Sequence, residues 1–249
     1  MLYFYLIFKR EEMKKFLKKI TPEKWRRKFH EKNKLHMRAA LKRASSRGMD
    51  IGTVIDVGAS DGRWTMQTLD YFPDANYLLI EANPVHEESL KKFCKNFQRI
   101  SYKIAAASDK NGYINFDGDD PFGGKAEPDK CANPLKVKSI RLDDLITSRE
   151  KLKLPFFLKL DTHGYEVPII EGASDILSQA SLIVIETYNF QIAKDSLIFD
   201  EMVSYMRTKG FGIVDISDPL WRPGDRCFWQ IDLYFEPLSK EQFKINTFN

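Results

Sequence analysis

Short apolar runs alternate along the chain with longer segments in which apolar residues recur every three or four positions. Residues 54–57, 77–80, 100–105, 156–160 and 182–185 are β-branched, aliphatic and aromatic blocks set between punctuating or charged residues, the pattern of strands buried on both faces of a parallel sheet. Residues 64–71, 90–97, 167–177 and 202–208 predict helices between and after them. Residues 111–116 alternate as an edge strand or hairpin arm, 135–140 return as a strand, and 142–145 open a short helix. Strands over 212–216 and 227–235 close the chain, joined by a loop and not by a helix. The order predicts an α/β fold with a seven-stranded, mostly parallel sheet ending in an antiparallel strand, unlike the six-stranded parallel sheet of dinucleotide dehydrogenases.

The first 48 residues read differently, as a basic helical arm ahead of one domain over 49–249. Residues 1–8 are all apolar or aromatic, too few to span a membrane. Residues 11–20 are amphipathic, and Thr21-Pro22 starts a further helix that runs to about Ser46. Residues 9–47 hold 16 Lys/Arg against 4 Asp/Glu, so the net charge of +4 conceals a basic arm on an acidic domain. Such a block suits an anionic partner, a membrane surface or nucleic acid, or is a solvated helix face. Cys94, Cys131 and Cys227 are widely spaced and form no C-x-x-C pair. No disulfide framework or zinc site is expected, and the cytoplasm is the expected compartment.

Candidate chemistry concentrates at strand ends. The strand at 54–57 runs into Gly58-Ala59-Ser60-Asp61-Gly62, a tight turn whose glycines let backbone approach a ligand. The next strand ends in Glu81. Strand, glycine turn, helix, strand and acid form a nucleoside-binding half, with Glu81 placed for ribose hydroxyls. A dinucleotide fingerprint needs a third glycine, which is missing here. Ala105, Ala106 and Ala107 leave room for adenine or serve tight helix-sheet packing. Lys159, Asp161, His163 and Glu166 gather after the strand at 156–160. His163 suits a general base near neutral pH, or a cap of the next helix, or a ligand for substrate hydroxyls. Lys159 is a further member of that set, or a buried partner of Asp161 or Glu166. Asp161 and Glu186 end neighbouring strands and offer oxygens to Mg²⁺, although no metal site is assigned. The Gly-, Asp- and Pro-rich loop over 117–134 is expected to be a substrate lid, and Trp221, Arg222 and Trp229 to face a sugar or ordinary solvent.

The glycine turn with Asp56 before it resembles motif I of the class I S-adenosylmethionine (SAM) methyltransferases. More widely, Val54-Ile55-Asp56-Val57-Gly58-Ala59, Glu81-Ala82-Asn83-Pro84, Ala107-Ser108-Asp109, Leu142-Asp143-Asp144-Leu145, Phe157-Leu158-Lys159-Leu160-Asp161 with Gly164 and Glu166, Glu171-Gly172-Ala173 and Ile183-Val184-Ile185-Glu186 resemble, in order, the FkbM family of SAM-dependent methyltransferases. Thr162 and His163 stand where that family usually has a valine-glutamate pair. The resemblance implies a Rossmann-like class I fold and SAM held by Asp56, Gly58, Ala59, Ser60, Gly62, Glu81, Ala82, Asn83, Ala106 and Ala107. It implies methyl transfer to a hydroxyl of a sugar, glycan or related metabolite, with His163, Asp161, Glu166 and Lys159 as the catalytic set. The competing expectation is a non-catalytic SAM-fold or nucleic-acid-binding protein that works through its arm. Against a nucleic-acid substrate, no Asn/Asp-Pro-Pro-aromatic motif follows residue 160. Peripheral membrane contact through the arm and self-association are further expectations.

Overall fold

The computed structural model describes residues 32–118, 120, 123–124, 126, 134–147 and 152–248. Its elements in chain order are α1 Met37–Ser46, β1 Thr53–Val57, α2 Arg63–Thr68, β2 Asn76–Glu81, α3 Glu87–Lys95, β3 Ile100–Ile104, β4 Ala106–Ser108, β5 Gly112–Phe116, β6 Leu135–Arg141, α4 Asp143–Thr147, β7 Phe156–Leu160, α5 Glu166–Glu171, α6 Ser174–Ser178, β8 Ala180–Tyr188, α7 Phe199–Thr208, β9 Phe211–Trp221 and β10 Phe228–Pro237. The main sheet has the order β3-β2-β1-β7-β8-β10-β9. Its first five strands are parallel, and β10 runs antiparallel to both β8 and β9. Strand order reverses between β1 and β7, the place where open α/β sheets receive ligands.

Alternation within each strand divides the core. Ile55, Leu78, Leu158 and Ile183 pack with Ile170, Ile176 and Met206 of α5, α6 and α7 on one face. Val54, Leu79, Phe157 and Val184 pack with Leu41 of α1 and Leu90 of α3 on the other. Each such fully buried side chain contributes roughly 1.5–3 kcal/mol relative to exposure.

Among the departures from the sequence expectation, three have a visible physical reason. The strand expected over 100–105 ends at Ile104, and Ala106–Ser108 crosses into a second, three-stranded sheet of order β4-β6-β5. The helix expected over 167–177 is two helices. Gly172 caps α5, where a Cβ would lie 2.1 Å from the Ser108 carbonyl oxygen so that only glycine fits, and α6 restarts with Asp143 Oδ1 accepting the N–H groups of Asp175 and Ile176 at 3.0 Å each. The strand expected over 212–216 continues to Trp221, because the polar residues beyond it find partners: Ser217 meets Tyr234 and Asp218 takes the Met37 N–H.

Helix α1 covers the sheet beside β9, with Ala40 and Leu41 fully buried. His36 Nδ1 accepts the Arg38 N–H to open it. Arg38 pairs with Asp70 at 2.6 Å, Arg43 grips Asp215 through two bonds of 2.7 Å, and Arg47 meets buried Glu236 at 2.6 Å. Part of the arm's charge is thus spent on acids of the domain. The apolar run 1–8, the amphipathic run 11–20 and the helix start at Thr21-Pro22 lie outside the described residues. Among the described residues no helix is long and apolar enough to cross a membrane.

Candidate active site

The turn after β1 is fixed by close approach. Gly58 has φ +75°, and a Cβ there would sit 1.9 Å from the Asp161 carbonyl oxygen, so no side chain fits. The Gly58 and Ala59 N–H groups donate to Ile80 O at 3.0 and 3.2 Å, tying the turn to β2. Ser60, also at positive φ, donates its N–H to Glu81 Oε2 at 2.7 Å, and Asn83 donates its own to Glu81 Oε1 at 2.6 Å. Beneath the turn, buried Asp56 accepts Thr65 Oγ1–H at 2.6 Å and lies 3.1 Å from Lys159 Nζ. Burial pushes the Asp56 carboxyl above its usual range, against the pull of Lys159 and Thr65.

A cavity of about 290 Å³ opens above this turn, at the carboxyl ends of β1, β2 and β7. Of the expected cofactor residues, Gly58, Ala59, Ser60, Glu81, Ala82, Ala106 and Ala107 line it. Asp56, Gly62 and Asn83 do not. Asp56 braces the turn from below; Gly62, at φ +84°, opens α2 where a Cβ would strike the Phe93 ring at 2.8 Å; Asn83 Oδ1 caps residues Pro84–His86. One polar atom of the wall, Ser60 Oγ, is buried without a hydrogen-bond partner. Such an orphan, beside an acid able to take ribose hydroxyls, fits a polar nucleoside ligand such as SAM.

The other end of the cavity is titratable. Lys159 Nζ donates to Gly58 O at 2.8 Å and lies 3.2 Å from Asp161 Oδ2. Burial would lower the Lys159 pKa, but Asp161 and Asp56 outweigh it and hold the ammonium charged. Burial would likewise raise Asp161, and Lys159 with His163 overrides it, so Asp161 stays below its usual value. Glu186, on the next strand, is pushed well above the carboxylate range by burial and then by the Asp161 charge. It receives hydrogen bonds from Tyr188 Oη and Gln230 Nε2. On β10, opposite Glu186, Asp232 is pushed up to about 8 by burial, with Asp161 adding to it. Asp56 and Asp161 thus meet Lys159 directly, while burial and the Asp161 charge push Glu186 and Asp232 toward their neutral forms.

His163 completes the group. Its backbone stands at φ +55°, its Nδ1 is 3.2 Å from Gly124 O, and its Nε2 is 3.6 Å from Asp161 Oδ1 and 3.7 Å from Glu186 Oε2. The tautomer that donates from Nδ1 to Gly124 leaves Nε2 as an acceptor in the cavity wall. Glu166, expected in the catalytic set, instead lies outside the wall. Its Oε1 accepts the Thr162 N–H, the Thr162 hydroxyl and the Gly164 N–H at 3.2, 2.9 and 3.1 Å. It holds the loop that presents His163. Asp161, His163 and Glu186 offer ligand atoms within 4.8 Å of one another, close enough for a cation. Lys159 already neighbours Asp161, however, and both Glu186 oxygens already accept hydrogen bonds. Of the expected lid, Gly124 and Ala126 line the cavity, and most of 117–134 lies outside the described residues.

Arg63, Trp64 and Tyr165 also line the cavity and were not expected there. Tyr188 was missed although its position two residues beyond Glu186 on one strand puts both on one face. Gln230 gave no signal, because its partner sits 44 residues away.

This sheet order and this cavity define a class I methyltransferase fold. Residues 56–213 match the methyltransferase FkbM domain, and the chain belongs to the FkbM methyltransferase family, whose methyl donor is SAM. Among solved structures it is similar to the methyltransferase FkbM from Methylobacillus flagellatus KT, at 15% identity and a TM-score of 0.50, over 80% of this chain and 47% of that one. The chain thus spans about half the length of that protein. It also resembles a precorrin-6y C5,15-methyltransferase from Geobacter metallireducens GS-15, at 14% identity and a TM-score of 0.45, over 82% of this chain and 91% of that one. No curated protein matches it in sequence.

Proposed function

We propose that the chain methylates a hydroxyl oxygen of a sugar, glycan or related small metabolite, with SAM as donor. The observation that carries this reading is His163 Nε2, an acceptor set in the same cavity as the Glu81–Ser60 cradle. Glu81, the turn over Gly58–Ser60 and Ala106–Ala107 are the residues that would hold SAM, which supplies a sulfonium-bound, electrophilic methyl. The chain's task is to position an acceptor hydroxyl and remove its proton. His163 Nε2 would take the acceptor hydroxyl's proton as the oxygen receives the methyl, and Asp161 and Glu186 oxygens would face the new N–H. Lys159 keeps Asp161 ionised, and Glu166 fixes the loop. The widely spaced cysteines support a reducing compartment such as the cytoplasm.

Methyl-labelled SAM incubated with the full chain and host glycan and lipid-linked fractions should give a product labelled on oxygen by mass spectrometry. Absence of label from every fraction would overturn the proposal.

A further inference from the structure

Strands β8 and β9 are both antiparallel to β10, so the carboxyl end of β9 lies at the same sheet edge as Glu186 and the cavity. At the end of β9, Leu220 is 50% and Trp221 56% exposed. The turn beyond it presents Arg222 and Arg226, with Asp225 paired to Arg222. The arm joins the domain at this edge too. Asp218 donates its N–H to Leu35 O at 2.7 Å and accepts the Met37 N–H at 3.0 Å, which places exposed Leu35, with Lys34 and Lys32 before it, a few residues from the hairpin tip. A line of aromatic contacts connects tip and site: His163 to Tyr188 at 6.4 Å, Tyr188 to Trp229 at 5.7 Å, and Trp229 stacked on Phe190 at 5.5 Å, with Arg222 over Phe190.

We infer that this edge rests on an anionic lipid surface and that the methyl acceptor is presented there, an inference whose second half rests on the methyl-transfer reading. The occupant follows from composition. Aliphatic and tryptophan side chains flanked by Arg and Lys are the mix that enters a headgroup layer, whereas single-stranded nucleic acid needs stacking faces and gains nothing from Leu35 or Leu220. Lys32 and Lys34, just before the attachment of Leu35 to Asp218, and Arg226 at the tip supply attraction to anionic headgroups at this edge.

Co-sedimentation of the full chain with vesicles tests this. Binding is expected to vesicles of equal parts phosphatidylcholine and phosphatidylglycerol, to weaken as salt rises, and to be absent on phosphatidylcholine alone. The double variant Leu220→Ser, Trp221→Ser should bind the mixed vesicles roughly tenfold more weakly or worse and keep native SAM affinity by calorimetry, which shows that its fold and cavity are intact. Equal sedimentation of variant and native chain overturns the inference, as does tighter retention on polyuridylate than on the mixed vesicles, or burial of the tip by self-association in solution. SAM binding without vesicle binding sinks the docking surface alone. Vesicle binding without SAM binding sinks the methyl-transfer reading and leaves the surface standing.

Discussion

The Ser60 N–H donates to Oε2 of Glu81 across 2.7 Å, so the glycine turn and the acid at the end of β2 form one unit before any ligand arrives. The second Glu81 oxygen is held by the Asn83 N–H at 2.6 Å. Each carboxylate oxygen has a second lone pair that remains available, and a nearly buried acid already aimed by two backbone donors needs little reorganisation to accept ribose hydroxyls.

Glu81→Ala should therefore lose SAM affinity by roughly 10- to 100-fold, the worth of one charge-assisted hydrogen bond at about 1.5–3 kcal/mol. Isothermal calorimetry reads this directly. Native affinity in the variant would remove Glu81 from the ribose site.

Lys159 reaches Asp56 Oδ1 at 3.1 Å and Asp161 Oδ2 at 3.2 Å with only 4% of its surface exposed. Lys159→Met leaves a buried Asp56 without its cation, and breaking such a pair costs about 3–5 kcal/mol. The double variant Asp56→Asn, Lys159→Met should regain part of that loss, since no uncompensated charge remains. Denaturant unfolding of all four proteins gives the coupling. Strict additivity of the two single effects would mean that the ion pair is not what holds the turn.

The sheet and cradle were legible because both depend on local signals. Apolar blocks mark strands wherever both faces are covered, and Gly58 and Gly62, four residues apart directly after such a block, mark the turn. The break at Gly172 was not, because the carbonyl that forbids a side chain there belongs to Ser108, distant in sequence. The full length of β9 was hidden by Ser217 and Asp218, polar residues whose partners Tyr234 and Met37 come from other elements. At the site, Asp161 and His163 were named from their place after β7, but Glu166 sits in the same six residues and faces the loop instead. Only the fold decides which of three neighbouring titratable groups meets the cavity.

Glu236 gives the fold a specific acid sensitivity. Burial would raise its pKa, and Lys240 with Arg47 reverses this, so the folded value is depressed. A depressed carboxylate contributes stability above its unfolded pKa, near 4.5, and loses it as pH falls through the folded value. Removing one cation by Arg47→Ala should lower stability by roughly 1–2 kcal/mol at neutral pH and flatten the decline below about pH 4.5. Thermal melts of both proteins from neutral to acid pH test it. Parallel curves would show that the α1 contact is indifferent to the Glu236 charge.

His163 and Glu166 are distinguishable by the shape of their defects. If Nε2 takes the acceptor proton, His163→Ala should lower kcat by roughly 10²- to 10⁴-fold and abolish the acid limb of the kcat–pH profile, with SAM affinity unchanged. Glu166→Ala leaves that imidazole in place but frees the Thr162 and Gly164 donors that hold it at positive φ. Its kcat should fall less, by about 10- to 100-fold, with the acid limb retained and Glu166→Gln restoring part of the rate. EDTA should change neither profile, because Lys159, Tyr188 and Gln230 already engage the carboxylates that a cation would need. An unaltered acid limb in His163→Ala removes His163 as the base. Loss of turnover in EDTA, restored by a divalent ion, would convert the Asp161–His163–Glu186 group from a proton acceptor into a metal centre.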